Sequence, residues 1–117
     1  MKIKTRELRN QKGTVYTVYD MTTGRGMTVS VTALGAAIQK VAIREETGRE
    51  QPLTLGFEDM GQYESCIYYA GATLGPNAGR IGNALLPVGT QLYQLSKNDG
   101  QNQLHGGVKN LSSRLWE

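Results

Sequence analysis

Val15-Tyr16-Thr17-Val18-Tyr19 and Met27-Thr28-Val29-Ser30-Val31-Thr32-Ala33, joined by Asp20-Met21-Thr22-Thr23-Gly24-Arg25-Gly26, read as two β-strands and the loop between them. The first run is β-branched and aromatic, and the second alternates strictly, with Met27, Val29, Val31 and Ala33 opposite Thr28, Ser30 and Thr32. The connecting residues have hairpin length and turn chemistry, so the strands are expected to be antiparallel neighbours. Downstream, Ala37 to Ile43 reads as a third strand. A charged turn, Arg44 to Glu50, then leads to a short alternation at Leu53-Thr54-Leu55, read as a fourth. Leu85 to Leu95, with Gly89-Thr90 at its centre, is a second hairpin in which Pro87 favours an edge. No window carries a sustained helical apolar stripe, although Asp59 to Tyr68 is long enough for one or two helical turns. The class is all-β.

Bulk composition narrows the function. A chain of 117 residues is one domain at most, and no repeat, low-complexity tract or Pro/Ser-rich linker marks an internal boundary. Its 15 glycines are spread between apolar runs as turn punctuation. Thirteen basic residues against 10 acidic ones leave a formal charge of +3, too weak and dispersed for a nucleic-acid surface. The opening residues alternate charged and apolar side chains without the apolar run of a leader, and no stretch reaches the roughly 18 apolar residues of a membrane helix. Cys66 is the only cysteine, so the chain holds no internal disulfide and no thiolate metal cluster. At the other end, Trp116-Glu117 follows Leu111 to Leu115 with no polar tail, as if a strand were interrupted there.

Two segments carry chemistry. Gly71 to Asn83 is glycine-rich around a single cation, Arg80. It lacks the Gly-Lys-Ser/Thr ending of a phosphate loop and the Gly-x-Gly-x-x-Gly of a dinucleotide turn. What remains is closely approaching backbone around a guanidinium whose planar fork can hold two neighbouring hydroxyls. The second segment, Asn98-Asp99-Gly100-Gln101-Asn102-Gln103-Leu104-His105-Gly106-Gly107, places the only histidine after an amide-rich run and before two glycines. Those glycines strip side chains from one side of the imidazole and would open it to a ligand. A single histidine is not a metal ligand set, so no metal is expected.

The order Gly75-x-x-Ala78-x-Arg80-Ile81, Tyr93-x-Leu95, Asn98-x-Gly100-x-Asn102-x-Leu104-His105-Gly106-Gly107 and Trp116 resembles the aldose 1-epimerase (galactose mutarotase) family. Gly35-Ala36-Ala37-Ile38, Leu53-x-Leu55-Gly56-Phe57 and Tyr63 are similar to its opening segments, so the likeness covers nearly the whole chain. It implies an antiparallel β-sandwich of galactose mutarotase-like supersandwich type, of which residues 1–117 would be an incomplete amino-terminal part. It further implies cytoplasmic sugar metabolism without a cofactor and a pocket for an aldohexose such as galactose or glucose. Arg80, His105, Asn102 and Asn83 are the implied sugar-binding residues, with His105 also stabilising charge developing near the ring oxygen. The chain departs from the family at Pro76 and Asn77, where an arginine and an aromatic are frequent, and at Gly79, where Asn is frequent; these positions bear on sugar preference.

Interconverting α and β anomers requires a base on the anomeric hydroxyl and an acid on the ring oxygen acting together. In the family both lie beyond the part represented by this chain, as a second histidine and a glutamate. Glu58, Asp59 and Glu64 match neither and read as solvated loop charges. The expectation is a portion of an aldose 1-epimerase, inactive alone. Two other classes stand beside it: a non-catalytic carbohydrate-binding module, and a truncated β domain that works only with another chain. Half a sandwich would leave an apolar face and open strand edges, so self-association or uptake of a complementing chain is expected.

Overall fold

The computed structural model describes all residues, 1–117, and they divide into two compact units, Met1–Ala72 with Leu115–Glu117, and Thr73–Arg114. The first unit holds an antiparallel sheet of β1 (Lys2–Arg9), β2 (Val15–Thr22), β3 (Met27–Thr32), β4 (Ile38–Arg44) and β5 (Glu50–Pro52), paired in that order. The hairpin at residues 15–33 forms as read, with Val18 opposite Thr32 and Thr22 opposite Thr28. β1 went unrecognised in the sequence because its alternate positions are charged, yet it pairs with β2 along its whole length, from Lys2 opposite Thr22 to Arg9 opposite Val15.

The fourth strand expected at Leu53–Leu55 lies earlier, at Glu50–Pro52. Leu53 N–H still reaches the Val41 carbonyl at 2.8 Å, but the Val41 N–H is taken at 2.8 Å by the Thr54 hydroxyl. A side chain therefore replaces the next rung of the ladder, and Leu55 is left fully exposed.

One side of this sheet inverts the usual economy of burial. Ser30 and Thr32 are fully buried, whereas Met27 is exposed and Val29 and Val31 are only half-buried. The polar side is satisfied from within: Ser30 donates to Asp20 Oδ1 at 2.5 Å and Thr32 Oγ1 donates to the Leu34 carbonyl at 2.8 Å. Arg6 Nε pairs with Asp20 Oδ2 at 2.9 Å and its Nη2 reaches Gln39, whose Nε2 donates to the Phe57 carbonyl at 2.8 Å. The segment after β5 crosses that side and carries α1 (Met60–Glu64), capped by Asp59 Oδ1 accepting from Gly61 N–H at 2.8 Å. Met60 and Val18 are fully buried. The opposite side presents Ile3, Tyr19, Met21 and Val31 around an apolar hollow bordered by Trp116. Leu115 pairs with Leu34 in a single bridge, and Trp116 N–H bonds the Ala33 carbonyl at 2.8 Å.

The second unit contains β6 (Arg80–Ile81), β7 (Leu85–Val88), β8 (Gln91–Gln94) and β9 (Gln103–Leu104). β7 and β8 form the second predicted hairpin, with Pro87 opposite Leu92; β7 has no other partner, so the missing proline N–H costs no ladder bond. β6 pairs with β9, Arg80 opposite Leu104 and Ile81 opposite Gln103. The architecture is antiparallel β with one short α-helix, and no helix is long and apolar enough to cross a membrane.

Two outcomes follow from the first unit. Met60→Ala removes a fully buried side chain beneath the sheet and is expected to cost about 2–5 kcal/mol, read from the midpoint of urea unfolding. Tyr16 donates its hydroxyl to Glu64, and this bond, with burial, moves the phenol from 10.0 to about 12. The folded value is raised, so the unfolded chain loses this proton first as pH rises. The contribution of the contact is complete below pH 10 and is lost between 10 and about 12. Glu64→Gln should return the Tyr16 titration toward 10, followed by absorbance of the phenolate.

Candidate functional site

The antiparallel β6–β9 pair sets Arg80 opposite Leu104, the residue before His105 in the chain. The pair extends one residue past β9 through two reciprocal bonds. His105 N–H donates to the Gly79 carbonyl at 3.0 Å, and Gly79 N–H donates to His105 Nδ1, also at 3.0 Å. A neutral imidazole that accepts at Nδ1 carries its hydrogen on Nε2, so the bond pattern assigns the tautomer. Gly79, at a family departure in the sequence, thus contributes the backbone amide that orients the ring.

His105 has φ +51°, and Asn83 and Ala84 in the same unit have φ +51° and +53°. Left-handed backbone at non-glycine residues costs about 1–3 kcal/mol each and persists where surrounding bonds over-determine it. Here those bonds are visible. Asn83 N–H donates to Asn102 Oδ1 at 3.1 Å. Asn98 clamps Leu104 from both sides, its Oδ1 accepting from Leu104 N–H at 2.7 Å and its Nδ2 donating to the Leu104 carbonyl at 2.9 Å. Asn98 and Asp99 N–H both bond the Asn102 carbonyl at 3.2 Å, closing the turn that leads into β9. The amide-rich run is thus largely spent on shaping the loop that presents His105.

The two glycines after the histidine have a packing reason. A Cβ on Gly106, which has φ +90°, would lie 2.0 Å from the Gly75 carbonyl oxygen, and one on Gly107 would lie 2.2 Å from Ser96 Oγ. Neighbouring atoms already fill the space a side chain would need, and a Cβ on Gly75 would itself lie only 2.6 Å from Leu111 Cδ1. The two chemical segments of the sequence are therefore packed against each other at Gly75 and Gly106.

Arg80 is largely exposed and Asp99 partly so, and Arg80 Nε donates to Asp99 Oδ2 at 2.7 Å. This ion pair raises the Arg80 pKa further above its ordinary value and keeps the group cationic. Asp99 was not singled out in the sequence, although an acid in the run that also holds the histidine was the available signal. Of the other carboxylates, Asp59 caps α1, and Glu64 accepts from Asn10 at 2.8 Å and from Tyr16. No three His, Cys, Asp or Glu side chains gather where they would hold a metal ion, and Cys66 is half-buried with a free thiol. In chemical terms the unit holds a guanidinium and an imidazole whose Nδ1 accepts from a backbone amide. Gly106→Ala should displace the His105 loop at a cost of about 1–3 kcal/mol, seen as loss of the protected Gly79 amide in hydrogen exchange.

Comparison with known proteins identifies the setting of this arrangement. The sequence profile of the aldose 1-epimerase family matches residues 17–117. The aldose 1-epimerase of Streptococcus thermophilus is 36% identical over 96 residues, covering 82% of this chain and 28% of that protein. The galactose mutarotase of Bos taurus is 33% identical over 88 residues, covering 75% of this chain and 26% of that protein. The crystal structure of a galactose 1-epimerase from Lactobacillus acidophilus superposes with a TM-score of 0.80 at 25% identity, covering all of this chain and 33% of that one. A GalM/aldose epimerase homologue from C. elegans gives a TM-score of 0.70 at 28% identity, over 99% of this chain and 32% of that one. This chain spans about a quarter to a third of the length of these relatives. With the profile running from β2 to the last residue, the chain belongs to the aldose 1-epimerase family.

Proposed function

We propose that the chain is the sugar-binding portion of a mutarotase acting on a free aldohexose in the cytoplasm, with both of its units parts of one larger β-sandwich domain. The observation that carries this reading is the junction of β6 and β9, where Arg80 is paired with Leu104 and His105 bonds Gly79, in a member of the aldose 1-epimerase family. Arg80 would fix two neighbouring hydroxyls through its terminal NH₂ groups, since Nε is engaged by Asp99. His105 would donate from Nε2 toward the ring oxygen, where negative charge develops as the ring opens, because Nδ1 is held by Gly79 N–H. Asn102 Oδ1 is committed to Asn83 N–H, so its contact with a sugar would run through Nδ2, with Asn83 joined to it by that bond.

Ring opening also needs a base to take the anomeric proton and an acid to protonate the ring oxygen. A donor-only guanidinium and an imidazole whose Nδ1 accepts from Gly79 do not make that pair. The acid and base are therefore assigned to residues of a longer protein or of a complementing chain. The partly exposed apolar side of the five-stranded sheet, around Ile3, Met21 and Val31, is a surface such a partner would cover.

Titration with D-galactose is expected to shift the NMR signals of the His105 ring and the Arg80 guanidinium; signals that stay put to high sugar concentration would exclude the site. In a version extended to include the acid and base, Arg80→Ala and His105→Ala should each slow the anomerisation of freshly dissolved α-D-galactose about thirtyfold or more by polarimetry. Rates unchanged in both variants would defeat the assignment of these residues.

A further inference from the structure

We propose that Asp99 is a positioning residue that fixes the Arg80 guanidinium and restricts its ligands to uncharged hydroxyl groups. The proposal rests on the sugar-site reading above and extends it to the class of ligand. An exposed arginine samples many rotamers, and an ion pair this open to solvent contributes little to folding stability. The consequence of the Asp99 contact therefore lies in where the guanidinium points.

Both ends of the contact are anchored. Arg80 backbone is paired with Leu104 in the β6–β9 ladder, and Asp99 sits on the turn closed by the Asn98, Asp99 and Asn102 backbone bonds. Asp99 Oδ2 takes the Nε hydrogen at 2.7 Å, a charge-assisted bond. A guanidinium has two edges able to grip an oxyanion bidentately: the Nε edge and the edge formed by the two terminal nitrogens. Asp99 occupies the first. It also places a negative charge next to the second, where a phosphate would suffer repulsion and a pair of sugar hydroxyls would not. The carboxylate has no other hydrogen-bond partner, so substituting it leaves the backbone bonds of the turn in place.

Asp99→Ala and Asp99→Asn separate geometry from charge, because the asparagine oxygen can still accept from Nε. In the full chain, a resolved Arg80 Nε–Hε resonance is expected in NMR spectra of the wild type and of Asp99→Asn, and its loss to solvent exchange in Asp99→Ala. Galactose affinity should fall about tenfold in Asp99→Ala and stay within about threefold of wild type in Asp99→Asn. Titration with inorganic phosphate, followed at the same resonance, should show binding about three- to tenfold tighter in Asp99→Asn than in the wild type. An Nε–Hε resonance unchanged in Asp99→Ala would overturn the positioning role. Phosphate binding no tighter in Asp99→Asn than in the wild type would overturn the restriction on ligand charge. Failure of the wild type to take up galactose, with the resonance and phosphate results as expected, would remove the sugar reading while supporting the pairing and the exclusion of anions.

Discussion

Gly79 and His105 hold each other by two hydrogen bonds, one between backbones and one from the Gly79 amide to the imidazole, and the arrangement of the second unit depends on that exchange. Each bond is worth only about 0.5–1.5 kcal/mol net, but together they set three things at once. They continue the β6–β9 pairing past Leu104, they hold His105 in left-handed backbone, and they leave the ring hydrogen on Nε2. Arg80 follows Gly79 in the chain and therefore inherits its position from the same contact. A histidine without this amide partner could present either nitrogen, and its hydrogen-bond direction would be undefined.

The polar residues of the Asn98–Asn102 run work mainly as scaffolding. Asn98 and Asn102 saturate backbone groups of Leu104 and Asn83, so a loop with several residues at positive φ keeps its hydrogen bonds satisfied. The glycines at 75, 106 and 107 allow main chain and side chains to approach within distances that a Cβ would forbid. Arg80 and His105 stand on this frame. The proposed recognition of hydroxyls and support of a developing oxyanion would draw on this frame.

The sheet of the first unit is distributed oddly for a small β structure. Its buried side is lined by Ser30, Thr32, Asp20 and Gln39, whose hydrogen bonds are internal, while Ile3, Met27, Ile38 and Ile43 remain substantially exposed on the strands. An alternating strand specifies two faces and says nothing about which face a later segment will cover. Here the segment carrying α1 covers the polar one, drawn there by contacts such as Tyr16 with Glu64 and Asn10 with Glu64.

Local chemistry made much of this legible in the sequence. The hairpin at residues 15–33, the strand after Ala37, the edge hairpin around Gly89-Thr90 and the absence of long helices follow from β-branched alternation and turn residues, which act over a few positions. The motif order from Gly75 to Trp116 also carries the likeness to the family. Other features depend on partners distant in the chain. β1 is a strand because β2 pairs with it despite its charges, and β5 stops at Pro52 because the Thr54 hydroxyl takes the next rung. The same holds for the Asp99 contact with Arg80, 19 positions away, and for the Gly79 amide that selects the tautomer of His105, 26 positions away. Residue type and spacing determined which elements and which chemical groups this protein has; the pairing of distant backbone segments alone decided which atoms face one another, because hydrogen bonds and ion pairs act over about 3 Å of space and not along the chain.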